Sequence, residues 1–168
     1  MNLVVMGVTA SGKSTIGRRS AARLGWPFYD ADDFHPPANV AKMSRGEPLT
    51  DDDRTPWLEA LHRLMADHEQ AGRHAIVACS ALKASYRAVL ERGLASVRFV
   101  YLKGDPEVLQ ARLDHRKGHF MPKTMLPSQL AALEEPKDAL TLDASRPPQE
   151  LVERVAEYVA DQLARATS

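Results

Sequence analysis

Short apolar runs alternate with longer amphipathic stretches along the chain. Five runs are rich in aliphatic, β-branched or aromatic residues and have the length of buried strands, at positions 3–6, 26–29, 74–79, 97–102 and 139–143. Between them, apolar residues recur at helical spacing. In chain order, the predicted helices cover residues 14–24, residues 39–44, residues 56–71, a stretch that ends at about residue 92, a stretch that begins at residue 106, residues 128–135 and residues 148–165.

This alternation of strand and helix is typical of an α/β protein with a parallel sheet. With 168 residues, the chain has the size of one compact domain, so we expect a single domain over residues 1–168. Trp57, Leu58, Leu61 and Met65 share one face of the third predicted helix, which indicates core packing rather than ligand binding.

The first strand leads into a phosphate-binding loop. Residues 7–14 match the pattern G-x-x-x-x-G-K-[ST] at every fixed position, between a predicted strand and a predicted helix. Glycines let the backbone N–H groups surround a phosphate, Lys13 supplies a mobile charge, and the Ser14 hydroxyl suits Mg²⁺. The alternative is an incidental Gly/Ser turn. Such a turn would not require a strand before it and a helix after it, and the sequence predicts both. The predicted nucleotide-binding residues in and after the loop are Gly7, Val8, Thr9, Ala10, Ser11, Gly12, Lys13, Ser14 and Thr15.

An acidic turn follows the second predicted strand, where an α/β sheet opens its ligand crevice. Asp30, Asp32 and Asp33 lie within four residues, and His35 comes two residues later. If the strand persists, Asp30 and Asp32 lie on the same side, so one carboxylate could hold Mg²⁺ and the other could accept a hydroxyl proton. Alternatively, these acids cap the next helix or are solvated.

Basic side chains near the later strand ends are candidates for binding an anionic substrate. Arg54 could contact a substrate carboxylate, or it could form a surface ion pair with Asp51 or Asp52, and the spacing leaves both readings open. Lys83 and Arg87 are four residues apart, which places them on one helical face. That face is either a cationic patch above the strand ends or an ordinary solvated surface.

A second basic stretch follows the fifth predicted helix. Arg112 and Arg116 are four residues apart, and the stretch 116–122 is basic and contains Gly and Pro. We predict a mobile lid over about residues 115–127 that closes on the nucleotide phosphates, with an ordinary surface loop as the alternative.

Charge and composition limit the classes of partner that this protein is expected to bind. Lys plus Arg and Asp plus Glu number 22 each, which gives no indication of nucleic acid as a partner. No apolar run approaches the ~20 residues of a membrane span, and the predicted first strand leaves no room for a signal peptide. Cys79 is the only cysteine, so it forms no internal disulfide and is expected to be a small buried residue. We expect a cytoplasmic protein.

Several blocks together resemble the small P-loop gluconate kinases of bacteria, which are related more distantly to shikimate kinase. Besides the phosphate loop, the narrower blocks are His-Pro-x-x-Asn, Pro-Leu-x-Asp-x-Asp-Arg and Cys-Ser-Ala-Leu-Lys. They begin at His35, Pro48 and Cys79. The resemblance implies a three-layer α/β/α P-loop kinase fold with a five-stranded parallel sheet. It also implies transfer of the ATP γ-phosphate to the 6-hydroxyl of D-gluconate, a step of the pentose phosphate and related routes, and a homodimer.

Residue roles follow by analogy with this family. Ser14 and Asp30 would organise Mg²⁺, and Asp32 would deprotonate the accepting hydroxyl, although Asp33 could exchange roles with either acid. Lys13 would act on the transferred phosphate, Arg116 would cover it, and Arg112 would lie near the nucleotide. The predicted substrate contacts are Asp32, His35, Arg54, Lys83, Tyr86 and Arg87. The sequence does not decide which of the cations among them binds the substrate carboxylate. The alternatives are a shikimate or nucleoside kinase and, outside enzymes, a nucleotide-binding regulator.

Overall fold

A computed structural model describes residues 1–116 and 124–168 of the chain. The described strands are β1 (Asn2–Met6), β2 (Phe28–Asp30), β3 (Ala75–Ala78), β4 (Val97–Lys103) and β5 (Leu140–Asp143). They form one sheet in the spatial order β2-β3-β1-β4-β5, and all four neighbouring pairs are parallel. The predicted five-stranded parallel sheet is therefore confirmed, with strand ends shifted by one or two residues.

Helices connect these strands and cover the sheet. They are α1 (Lys13–Leu24), α2 (Pro37–Ser44), α3 (Asp51–Gln70), α4 (Ala84–Glu91), α5 (Pro106–Asp114), α6 (Met125–Ala132) and α7 (Pro148–Ala166). A single 3-10 turn, Ala31–Phe34, follows β2. Within the described residues, none of these helices combines the length and apolar composition needed to cross a membrane.

The two faces of the sheet follow from the alternation of side chains along each strand. Leu3 and Val5 of β1 point to one face, where they pack with buried residues of α1 and α7. Val4 and Met6 point to the other face, where they pack with α3 and α4. The result is the predicted three-layer α/β/α arrangement. The core residues predicted on α3 are all buried, namely Trp57, Leu58, Leu61 and Met65.

Helix α3 begins five residues earlier than the sequence prediction, which placed Pro56 at its first position. Thr50 caps the helix in a reciprocal capping box, in which its hydroxyl accepts from the Asp53 N–H and the Asp53 carboxylate accepts from the Thr50 N–H. The helix therefore starts after this cap and not at Pro56, although proline is common at the first position of helices. Pro56 consequently lies inside the first two turns, where it lacks one N–H donor.

The predicted lid is only partly covered by the described residues. Helix α5 ends at Asp114, so Arg116 lies beyond the helix instead of pairing with Arg112 along it. Helix α6 begins at Met125, three residues before the predicted return helix. The centre of the predicted lid, residues 117–123, lies outside the described residues, and the lid stays a prediction.

Candidate active site

The phosphate loop joins the central strand β1 to α1 at the carboxyl edge of the sheet. Gly12 has a φ of 96°, and Gly7 has a φ of 153°. A Cβ at Gly7 would lie 2.6 Å from the Ser11 Oγ and 2.9 Å from the Leu102 carbonyl oxygen, so no larger residue fits there. Ala10 also lies in the left-handed region, with a φ of 67°. Such backbone conformations cluster at ligand sites, which supports the phosphate-binding interpretation.

Lys13 lies folded over this loop. Its Nζ donates to the Val8 carbonyl at 3.1 Å. Burial lowers the pKa of Lys13, while the nearby carboxylates of Asp32 and Asp30 oppose that shift. The lysine therefore contacts the loop and lies near the acidic turn after β2, while its predicted action on the phosphates stays a prediction.

Gln129 of α6 is a contact that the sequence analysis missed. Its Oε1 accepts a hydrogen bond from the Thr9 N–H of the phosphate loop at 2.7 Å. The two residues are 120 positions apart, and no local pattern singles out a glutamine on a helix surface. Through this bond, the helix that follows the predicted lid is attached directly to the phosphate loop.

Ser14 and Asp30, the two residues predicted to organise Mg²⁺, are hydrogen-bonded to each other. The Ser14 Oγ donates to the Asp30 Oδ2 at 3.2 Å, while the Asp30 Oδ1 accepts from the Asp32 N–H at 3.0 Å. Asp30 therefore caps the 3-10 turn, as one sequence reading expects, and it also faces the phosphate loop, while its role toward Mg²⁺ stays a prediction. The strand does not persist to Asp32, because the chain enters the 3-10 turn at Ala31, so the condition under which Asp30 and Asp32 would share one side of a strand is not met.

These hydroxyl and carboxylate oxygens fit Mg²⁺, which binds few protein ligands and keeps several waters and phosphate oxygens. Among the residues described, no cluster of three or more His, Cys, Asp or Glu side chains with metal-site geometry occurs.

Asp32 lies on the 3-10 turn after β2, close enough to Lys13, Asp30 and His35 for their charges to act on it. Desolvation raises the pKa of its carboxyl group, and the neighbouring Asp30 raises it further, while Lys13 and His35 act in the opposite direction. A carboxylate with a raised pKa is a better proton acceptor than an ordinary aspartate. The arrangement therefore suits a base that acts on a substrate hydroxyl.

His35 is fixed by stacking and by a hydrogen bond. Its ring stacks on Trp57 with a centroid distance of 4.4 Å and an interplanar angle of 13°. The Trp57 Nε1–H donates to the Ala31 carbonyl at the start of the 3-10 turn. On its other edge, the His35 Nδ1 lies 3.2 Å from the Nδ2 of Asn39, a second residue that the site prediction omitted.

Three predicted substrate-binding side chains converge on one carboxylate oxygen. The Tyr86 hydroxyl donates to the Asp51 Oδ1 at 2.5 Å, and Arg54 and Lys83 each place a nitrogen 3.6 Å from the same oxygen. Arg54 also donates to the Tyr86 hydroxyl at 3.3 Å and to the Leu49 carbonyl at 3.0 Å. The Tyr86 hydrogen bond lowers the pKa of Asp51. Arg54 thus forms the ion pair with Asp51 that was one of its two sequence readings, and the three side chains together present donors that suit a carboxylate.

Arg87 does not belong to this group, which corrects the prediction that it binds substrate. Only 8% of the residue is exposed, and its Nη1 donates to the carbonyls of Ala81 and Leu82 at 2.7 and 3.2 Å. Its Nη2 donates to the Glu134 carbonyl at 2.8 Å. Lys83 precedes α4 as its N-cap, so the two cations do not share a helix face.

A cleft of about 660 Å³ lies on the other side of the phosphate loop. Arg112 and Arg116 line it together with Gly12 and Thr15. Arg112 donates to the Ala10 carbonyl at 3.2 Å and to the Ala144 carbonyl, and so joins the loop to the segment after β5. The position of this cleft beside the loop suits the nucleoside part of ATP.

A phosphate loop at the carboxyl edge of this five-stranded sheet defines the chain as a P-loop kinase, and the family model for shikimate kinase matches residues 9–164. The gluconokinase of Gluconobacter oxydans is 51% identical over 136 residues, which cover 81% of this chain and 76% of that protein. The chain belongs to the gluconokinase family. Kinases of these families are ATP-dependent phosphotransferases that act on hydroxyl groups.

Two further relatives extend the match over most of the chain. The thermoresistant gluconokinase of Escherichia coli is 41% identical over 160 residues, which cover 93% of this chain and 91% of that protein. The crystal structure of a gluconokinase from Sinorhizobium meliloti superposes with a TM-score of 0.82 at 42% identity and covers 96% of both chains.

Proposed function

We propose that this chain transfers the γ-phosphate of ATP to the 6-hydroxyl of D-gluconate and releases 6-phospho-D-gluconate and ADP. The observation that carries the substrate assignment is the convergence of Arg54, Lys83 and Tyr86 on a single carboxylate oxygen of Asp51. The protein's own carboxylate marks a site that fits the carboxylate of a sugar acid. Glucose has no such group to offer.

The substrate carboxylate would take the place of Asp51 on these donors. The Asp51 side chain is 65% exposed, so it can turn into solvent at small cost. The rest of the sugar acid would then extend from Arg54 and Tyr86 toward His35 and Asp32, whose polar atoms suit its hydroxyl groups. This direction brings the far end of the substrate to the phosphate loop.

Asp32 is the proposed general base. As the substrate O6 forms its bond to the γ-phosphorus, the bond from phosphorus to the β,γ-bridging oxygen of ATP breaks, and the hydroxyl proton passes to an Asp32 carboxylate oxygen. Lys13 neutralises charge on the transferred group, and the loop N–H groups hold the other phosphates. Arg116 would add positive charge on the nucleotide side of the loop.

Ser14 and Asp30 are the proposed protein ligands of Mg²⁺, directly or through water. When bound, the ion would neutralise phosphate charge and orient the β- and γ-phosphates. The hydrogen bond between Ser14 and Asp30 already aligns both side chains toward the same edge of the loop.

We also infer that the enzyme works in the cytoplasm within gluconate catabolism and the pentose phosphate route, without nucleic acid or a membrane as partner. The balance of 22 basic and 22 acidic residues and the single cysteine support this. A homodimer is inferred from the family resemblance alone.

The test is ADP production with ATP and Mg²⁺ in the presence of D-gluconate, shikimate, nucleoside monophosphates, glucose or no acceptor. We expect turnover with gluconate, lost by about 100-fold or more in Lys13→Ala and in Asp32→Asn. Turnover with a nucleoside monophosphate or with glucose would keep the phosphate loop and reject the carboxylate site. Turnover with shikimate, which also carries a carboxylate, would keep that site and reject gluconate as the substrate. ATP binding without stimulation by any acceptor would instead favour a regulatory protein. Near-normal turnover in Asp32→Asn would reject Asp32 as the base.

A further inference from the structure

Asn39 links the acidic turn, α2 and α3 from a buried position. Only 3% of the residue is exposed. Its Nδ2 donates to the Asp53 backbone carbonyl at 2.8 Å and lies 3.2 Å from the His35 Nδ1. A backbone carbonyl can only accept a hydrogen bond, so this contact identifies which end of the amide is the nitrogen. The second N–H of that nitrogen is therefore directed at His35.

The donor from Asn39 determines the tautomer of His35. An amide nitrogen has no lone pair to offer, so the His35 Nδ1 must be the acceptor. In a neutral imidazole, the proton then resides on Nε2. Stacking on Trp57 keeps the ring in one plane, and the ring therefore carries its N–H on a defined edge.

Charged groups around His35 are consistent with a neutral ring. Burial lowers the pKa of His35, Asp32 on the 3-10 turn raises it, and Arg54 on α3 lowers it. The two charges act in opposite directions. The hydrogen bond from Asn39 adds a further preference, because an imidazolium would carry a proton on Nδ1 facing another donor.

We propose that Asn39 is a positioning residue that holds His35 as the neutral Nε2–H tautomer, so that His35 serves the substrate site as a hydrogen-bond donor. The inference rests on the proposed function for the identity of the acceptor, an oxygen atom of the sugar acid. The opposite tautomer would present a lone pair instead, which repels a carboxylate oxygen and can pair only with a hydroxyl that turns its proton inward.

Two other histidines are expected to have the opposite tautomer and can serve as an internal reference. The Nδ1 of His68 lies 2.9 Å from the Leu64 carbonyl, and the Nδ1 of His62 lies 3.1 Å from the Leu90 carbonyl. A carbonyl requires a donor, so both rings carry their proton on Nδ1 when neutral. One spectrum of the protein should therefore contain both tautomers.

The test is a long-range ¹H–¹⁵N correlation spectrum of the ¹⁵N-labelled full chain near pH 7.5, without ligands. His35→Gln identifies the His35 signals by their disappearance. We expect a protonated Nε2 and an unprotonated Nδ1 for His35, and the reverse for His68. A His35 ring protonated on Nδ1, or on both nitrogens, would overturn the proposal. This measurement needs no activity, so it stands or falls independently of the substrate assignment.

A variant then connects the tautomer to substrate binding. Asn39→Asp replaces the donor by an acceptor. At a pH high enough to keep the ring neutral beside the new carboxylate, we expect the proton to move from Nε2 to Nδ1, together with a rise of about tenfold in the KM for gluconate and an unchanged KM for ATP. Ala38→Asp is the matched control, since it adds the same charge at the exposed neighbouring position. An unchanged gluconate KM in folded Asn39→Asp with a switched tautomer would refute the role in binding. If Asn39→Asp fails to fold, the wild-type protein provides the test. We then expect the His35 Nε2–H signal to shift when gluconate is added, and a signal that does not move would refute the role of His35 as a donor to the substrate.

Discussion

Replacing Arg87 separates a structural role from a role in substrate binding. The guanidinium joins the loop before α4 to the segment after α6, because its donors reach the carbonyls of Ala81, Leu82 and Glu134. A methionine at this position keeps the aliphatic stem and removes all three hydrogen bonds. We therefore expect Arg87→Met to lower stability and to leave the gluconate KM almost unchanged.

The size of this effect follows from the contacts. Hydrogen bonds that involve a charged group contribute about 1.5–3 kcal/mol each, but one nitrogen of Arg87 is shared between two carbonyls. We take about 3–5 kcal/mol for the loss of the whole set. For a chain of this length, each kcal/mol lowers the Tm by about 2–4 °C, so the expected decrease is about 6–20 °C. Arg87→Lys should fall between wild type and Arg87→Met.

The assay combines thermal unfolding without ligand and steady-state kinetics at a temperature well below both transitions. Arg92→Met is the matched control, because Arg92 follows the same helix directly and, among the residues that the structure describes, forms its salt bridge with Glu59 on the surface. Exposed pairs contribute about 0–1 kcal/mol, so its Tm should change little. If Arg87→Met keeps the wild-type Tm within about 2 °C and raises the gluconate KM tenfold, the structural role is wrong and the original substrate-binding prediction is restored.

Three further predictions concern neighbouring parts of the site. Asp51→Asn removes the internal carboxylate and should lower the gluconate KM by up to about fivefold, whereas Asp52→Asn should not; a higher KM in Asp51→Asn would contradict displacement. The pKa of Asp53 is held at about 2, mainly by the hydrogen bond from Lys42. Its contribution to stability is therefore complete above about pH 4 and is lost as the pH falls through about 2, and urea unfolding of Asp53→Asn should show a flatter acid limb. An unchanged limb would argue against this. Chelating Mg²⁺ should abolish turnover, and Ser14→Ala should raise the Mg²⁺ concentration required for half-maximal rate; an unaltered requirement would remove Ser14 from the metal site.

Sequence reasoning succeeded wherever the determining contacts are local. The phosphate loop needs only eight consecutive residues with glycines at two positions, and the structure places Gly7 and Gly12 in the conformations that favour glycine. The start of α3 was missed although its signal is also local. Thr50 and Asp53 satisfy two backbone donors reciprocally, whereas the sequence prediction began the helix at Pro56.

Side-chain partners across the site were harder to predict. Lys83 and Arg87 look equivalent in sequence, yet Lys83 joins the carboxylate site and Arg87 is buried against Glu134, 47 residues away. The bond from Thr9 to Gln129 and the bond from Asn39 to the Asp53 carbonyl have no one-dimensional signature. Each depends on where a helix docks on the loops at the sheet edge.

The sequence by itself determined the class of fold and the phosphate loop, because hydrophobic periodicity and glycine conformations act over short stretches of chain, and its motif blocks identified the kinase family. Only the tertiary structure decided which cations surround the Asp51 carboxylate and which nitrogen of His35 carries its proton. Burial and hydrogen-bond partners set these properties, and both arise from segments that meet only after the chain has folded.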